Sequence, residues 1–330
     1  MPTSRSTRVL SSLLTLVVCA GLAQAGGNEP GSLLIFPEYD ARPGSLTFLT
    51  VTNTNSDPVD GSVRVHFNYV NGETCLKHEV METLSPNDTV TFLSQNQAPD
   101  QGRGFCFAYA RGMAPASPTD FDFLIGTAIV LDGTTGSEYS INALVYEGRT
   151  GHGNRTDVDA DGVRDLDGLE YEMAPGKIAI PRFFGQPGFT SGSGVPHADL
   201  VLMGMTGVNF TTTLDLLIFN DNEEVFSSEM SFYCWARVPL ADISGLFTND
   251  FLRDNTNHDP REIEGWSAFE SGWFEIDGAV ATSPEVTIDD PAFVAVLIEV
   301  GRMSSAALPF TIGEQANGAL LPHIIYGYDR

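Results

Sequence analysis

Val63-Arg64-Val65-His66-Phe67-Asn68-Tyr69-Val70-Asn71-Gly72-Glu73 decides the type of structure this chain forms. Val63, Val65, Phe67 and Tyr69 alternate with Arg64, His66 and Asn68, the period of a strand with one face buried. Asn71-Gly72 then reads as a hairpin turn, since both residues accept the positive φ that a type I′ turn requires. Pairing across a two-residue turn sets Val63 against Val80 and Arg64 against Glu79. Further strands are expected at 46–53, 89–93, 105–110, 124–131, 140–146, 200–205, 229–237, 273–276 and 293–300, separated by turn residues. The apolar stretch 292–300 is nine residues long and contains Glu299, so it is a buried strand and not a membrane span.

The pattern repeats along the chain. Gly31 to Ile35 resembles Gly176 to Ile180, and the strand ending at Asn71 resembles the one ending at Asn220. Cys75 is matched with Cys234, and Gly104-Phe105-Cys106 with Gly272-Trp273-Phe274. The spacing between partners grows from 145 to 168 residues, as in a duplication whose second copy has longer loops. The expected fold is all-β: two tandem antiparallel immunoglobulin-like sandwiches at 27–150 and 174–330, joined by an acidic linker at 151–173.

Arg5 and Arg8, an apolar run from Val9 to Gly21, and Ala23-Gln24-Ala25 make up a secretory leader over residues 1–25. Cleavage is expected after Ala25, which places the mature protein outside the cell, at its surface or in the periplasm. The whole chain carries −26; the leader holds two arginines and no acid, so the mature charge is −28. Such a field repels nucleic acid and anionic lipid. Cys75 and Cys106 both fall on the polar faces of their strands and are expected to form a disulfide, with Cys234 a buried free thiol.

Between the halves lies Asp157-Val-Asp159-Ala-Asp161-Gly162-Val163-Arg-Asp165-Leu-Asp167-Gly-Leu-Glu170. This segment resembles the calcium loops of EF-hands, dockerins and thrombospondin type-3 repeats. Calcium takes six to eight hard oxygens, which carboxylates at alternate positions supply when the chain curls about the ion. The resemblance implies Asp157, Asp159, Asp161, Asp165 and the Val163 carbonyl as ligands, with Gly162 at the sharp turn. The twelfth position is Gly168 where the pattern has an acid, so Asp167, one residue early, or Glu170, two late, closes the site. The implied role of the ion is structural.

Nothing points to catalysis. The six histidines are scattered, and no H-E-x-x-H, G-x-S-x-G or phosphate loop is present. The expected function is therefore a non-enzymatic structural or adhesion protein with a calcium-stabilised linker. Its partner would be an extracellular protein or a glycan, and open strand edges could accept another copy. A carbohydrate-binding accessory module is the alternative, with Trp266 and Trp273 as the aromatic platform. The simpler expectation puts Trp273 in the core and Trp266 in a loop. A secreted hydrolase using paired carboxylates is the second alternative.

Overall fold

The computed structural model describes residues 29–98, 102–133, 135–187, 197–207, 210–220, 223–255, 270–300, 305–313 and 315–320. The leader, its cleavage site and Trp266 lie outside the described residues. The first half runs β1 (Leu33–Asp40), β2 (Leu46–Asn53), β3 (Val63–Asn71), β4 (Lys77–Leu84), β5 (Thr89–Leu93), a short helix α1 (Ser94–Gln97), β6 (Arg103–Arg111), β7 (Leu124–Asp132), β8 (Ser137–Asn142) and β9 (Leu144–Tyr146). The connecting segment contributes β10 (Arg164–Leu166) and β11 (Ala174–Pro175). The second half runs β12 (Lys177–Phe184), β13 (His197–Gly204), β14 (Thr211–Asn220), β15 (Val225–Tyr233), β16 (Trp235–Pro239) and α2 (Leu240–Ile243). It continues through β17 (Ser271–Thr282), β18 (Thr287–Asp289), β19 (Phe293–Val300), β20 (Ser305–Ala307), β21 (Phe310–Thr311), β22 (Gln315–Ala316) and β23 (Gly318–Leu320).

The protein is mostly β, and its named strands pair antiparallel. The first half forms sheets ordered β4-β3-β6-β1-β9 and β5-β2-β7-β8. The second half forms β15-β14-β17-β12-β21, with β18 added on β17, and β16-β13-β19-β20. Strand for strand, the second order repeats the first. Register agrees as well. β1 slips against β6 between Phe36 and Tyr39, opposite Cys106 and Gly104; β12 slips against β17 between Ile180 and Phe183, opposite Phe274 and Gly272. Gly104 to Cys106 thus matches Gly272 to Phe274 as expected, whereas Ile180 matches Phe36, one residue away from the sequence pairing.

The order differs from the immunoglobulin one, in which the first strand shares a sheet with the second, fifth and fourth. Here β3 pairs β4, β2 pairs β5 and β1 pairs β6, the arrangement of one long hairpin rolled up on itself. The β3–β4 register is also displaced by four from the expected one, with Val63 opposite Leu84 and Phe67 opposite Val80. The reason lies in the turn. Asn71 Oδ1 accepts from the N–H groups of Glu73 and Thr74, both at 2.9 Å, and the Cys75 N–H bonds the Asn71 carbonyl. Cys75 takes the positive φ of 56°. A longer loop therefore replaces the two-residue turn.

β13 and β19 are buried on both faces. Leu200, Leu202, Ala295 and Leu297 point into the core beneath the second half's larger sheet. Val201, Met203, Val294, Val296 and Ile298 alternate with them and join the core of the first half. Burying each such side chain contributes about 1.5–3 kcal/mol, so the two halves are fused by packing. In the first half, β6 turns Phe105, Phe107 and Tyr109 outward from its own sandwich as a ladder of rings, with centroids 6.4 Å apart.

Two-faced burial corrects the cysteine assignment. Cys106 shares the face of Phe36 and Tyr69, which is core and not polar surface, and it is a fully buried free thiol. Burial pushes its thiol far above the ordinary range. Cys75 lies in the loop beyond β3, and it is bonded to Cys234, with Cα atoms 6.2 Å apart. Cys75 follows β3 whereas Cys234 sits between β15 and β16, the counterparts of β4 and β5, so the two cysteines are not equivalent positions of the repeat. They tie one half to the other across 159 residues, a closure worth about 5 kcal/mol in the chain-entropy picture.

Candidate calcium-binding loop

Residues 148–176 form no free tether. Leu166, Tyr171 and Ala174 are completely buried in the core shared by the two halves. β10 pairs β23 and β11 pairs β22, so the segment is sewn to the last described strands. The Thr156 hydroxyl bonds the Tyr171 hydroxyl at 2.8 Å, and Gly148 bridges Tyr171 through the backbone. Arg164, also buried, lays its guanidinium over the Tyr109 ring at 5.1 Å.

Inside this frame the acidic loop curls. Ala160, Gly162 and Gly168 take φ of 68°, 87° and 82°, left-handed conformations that tighten it. Asp159 Oδ1 accepts from the Asp161 N–H at 3.1 Å, and Asp161 Oδ1 from the Val163 N–H at 2.7 Å. Two triplets of carboxylates result: Asp157, Asp159 and Glu170, and Asp159, Asp161 and Asp165. Within each, the oxygens lie within 4.8 Å of one another. Oxygens bound to one calcium at about 2.3–2.6 Å can be no farther apart than about twice that distance, a limit that each triplet meets on its own. Asp159 belongs to both.

Of the two late acids, Glu170 is the one that reaches the other carboxylates, grouping with Asp157 and Asp159. Asp167 stays out of both triplets; its Oδ1 accepts from the Leu169 and Glu170 N–H groups at 2.8 and 3.0 Å and turns the chain so that Glu170 points back. Glu170 in turn accepts from the Val158 and Asp165 N–H groups. Val163 lies half-buried just before β10.

The electrostatics are uneven. Burial, reinforced for Asp165 by Asp161, Asp167 and Asp159, raises the Asp165 carboxyl to about 6. Burial also lifts Glu170 to about 7. Both would gain from a cation that replaces lost water. Asp157 goes the other way: burial is outweighed by the hydrogen bond from Arg155 and the nearby charge of Arg164, and its carboxyl sits below the usual range. Arg155 and Arg164 approach its Oδ2 at 2.6 and 3.4 Å, while its Oδ1 accepts from the Gly162 N–H at 3.5 Å. The donor set is all hard oxygen, which suits calcium and not zinc.

Among the described residues these are the only groups of three or more potential metal-binding side chains at ligand distance. His66 instead bridges the Tyr109 hydroxyl at 2.8 Å and Glu79 at 3.0 Å, and His152 packs on Phe121 and Phe123. Trp273 is not core; it is half-buried on the outward face of β17. Sequence reasoning did not find the buried charge cluster where the halves meet. Arg237 Nη1 donates to both oxygens of Glu38 at 2.9 and 3.2 Å, and its Nε to Asp199 at 2.6 Å. Arg103 and the Tyr139 hydroxyl complete the shell around Glu38. The only signal for it was an acid and an arginine within apolar strands.

Set against family models, curated proteins and solved structures, the chain matches none. No helix of the described residues is long and apolar enough to cross a membrane.

Proposed function

We propose that this chain is a secreted, non-enzymatic surface-structural or adhesion protein. In this reading it is built of two related β-sandwich repeats whose junction is stabilised by calcium. The single observation that carries it is the acidic loop: five carboxylates gathered from a 14-residue stretch and anchored in the core that both repeats share. A cation there would offset the repulsion among Asp159, Asp161 and Asp165 and hold β10 against β23. The matching strand order of the halves supports the repeat, and the Cys75–Cys234 disulfide fits an oxidising compartment. The leader read in the sequence is the basis for export.

The role of the ion would be mechanical, with no step of chemistry assigned to it. Isothermal titration of the mature protein tests the reading. It expects one calcium per chain, with a dissociation constant on the order of 10⁻⁴ to 10⁻³ M, as in other extracellular modules. At a hundredfold excess over that constant the native state gains about 2.7 kcal/mol, read as a rise in the melting temperature of the whole chain. No heat and no thermal shift between chelator and millimolar calcium would remove calcium from the account.

A further inference from the structure

The outward face of the sheet β15-β14-β17-β12-β21 sets an apolar ridge beside a charged cleft. On it Phe219 and Trp273 stand side by side on neighbouring strands with parallel rings, centroids 4.1 Å apart and planes 6° apart. Val225, opposite Phe219 on the next strand, is 55% exposed. One step along the strands, Leu217 lies between Ser227 and Glu275, and it is 37% exposed. A step further, Asp215 lies between Glu229 and Asp277, and Asp277 is opposite Lys177. Lys177 Nζ reaches Glu275 at 3.0 Å and Asp277 at 3.6 Å. A cleft of about 370 Å³ opens here, lined by Lys177, Asp215, Leu217, Ser227, Glu275 and Asp277.

We infer that this face binds a neutral polysaccharide chain. Sugar rings present C–H faces, which pack on aromatic and aliphatic groups, and hydroxyls, which both donate and accept. The face supplies both needs in adjacent rows: a ridge of Val225, Phe219 and Trp273, then a cleft with carboxylate acceptors, a serine hydroxyl and one ammonium over an apolar floor. Four carboxylates around one lysine repel an anionic polymer, and they repel the same face of a second copy. From β15 to β12 the face spans about 14 Å at ~4.8 Å per strand, room for a few sugar units laid across the strands. The binding does not depend on the acidic loop, which is on a different segment of the chain.

The mature protein should be incubated with cellulose, chitin and xylan, and with alginate as the anionic comparator. Each incubation is run in millimolar calcium and again in chelator. At least one neutral polysaccharide is expected to retain the protein under both conditions, and alginate is not. Trp273→Ala should weaken that retention about tenfold or more, a loss of 1.4 kcal/mol per decade, and Lys177→Ala should weaken it severalfold. Val59→Ser, at an exposed site of the first half, should leave it unchanged. Circular dichroism and non-reducing mapping of Cys75–Cys234 establish that each variant is folded. The inference is overturned if no neutral polysaccharide is retained, if folded Trp273→Ala and Lys177→Ala bind as the parent does, or if a lysine-rich polypeptide is retained in preference to every neutral polysaccharide.

Discussion

The indole N–H of Trp235 donates to the backbone carbonyl of Pro37 at 2.8 Å, joining residues 198 positions apart. The ring lies over Gly72, where a Cβ would meet it at 2.3 Å, and under the guanidinium of Arg103 at 5.4 Å. Beside it stand Cys234 with its bond to Cys75, and Arg237 with its bonds to Glu38. Covalent, ionic and apolar ties thus converge on one junction, and the two halves are expected to unfold together.

Arg237→Met tests that junction. Removing one partner of a buried ion pair strands the other, at a cost of about 3–5 kcal/mol. Thermal unfolding of the variant should remain one transition at a lower temperature. Two separated transitions would mean that the halves melt independently.

Non-reducing peptide mapping should find Cys75 linked to Cys234 and Cys106 free, with Cys106 alkylated only after denaturation. Cys75→Ala and Cys234→Ala should each destabilise the whole chain by about 2–5 kcal/mol, and the double variant no more than either. A Cys75–Cys106 peptide would overturn the assignment.

Glu79 gives a pH signature. Burial raises its carboxyl, but the hydrogen bonds from His66 at 3.0 Å and Lys77 at 2.5 Å outweigh that and lower it to about 2. A carboxylate depressed in the native state binds fewer protons there than when unfolded, so stability rises with pH across the gap. The Glu79 contribution is therefore complete above the ordinary glutamate value near 4.5 and is lost as pH falls toward 2. Denaturant titrations at pH 3 and pH 6 should differ less for Glu79→Gln than for the parent. An equal difference in both would count against the pairing.

Within the acidic loop, Asp159→Ala should weaken calcium most, by tenfold or more, because Asp159 alone belongs to both carboxylate triplets. Asp167→Asn keeps an acceptor for the Leu169 and Glu170 N–H groups and should shift affinity by threefold or less. The reverse ranking, measured by titration calorimetry, would place Asp167 on the ion.

Strand existence was legible where one face met water or where both were uniformly apolar: β2, β5 and β19 begin and end where alternation and turn residues put them. Asn71-Gly72 misled because a turn residue does not reveal loop length. The asparagine that would tolerate a tight turn instead uses its side chain to cap a longer one. The cysteine pairing failed for a related reason. Alternation sorts polar from apolar only when a strand has one wet face, and β6, which holds Cys106, is buried on both faces from Gly104 to Ala110. For the acidic loop, the residue types and spacing named the candidate ligands, but choosing Glu170 over Asp167 required the turn at Gly168.

Cys75 and Cys234 belong to opposite halves, so their bond cannot close until most of the chain has been synthesised and the second half has come to rest on the first. A molecule that carries this crosslink has therefore already passed a test of completeness. A truncated or half-folded copy exposes an unspent thiol in the hairpin loop, a chemical label by which it can be told apart from a finished one.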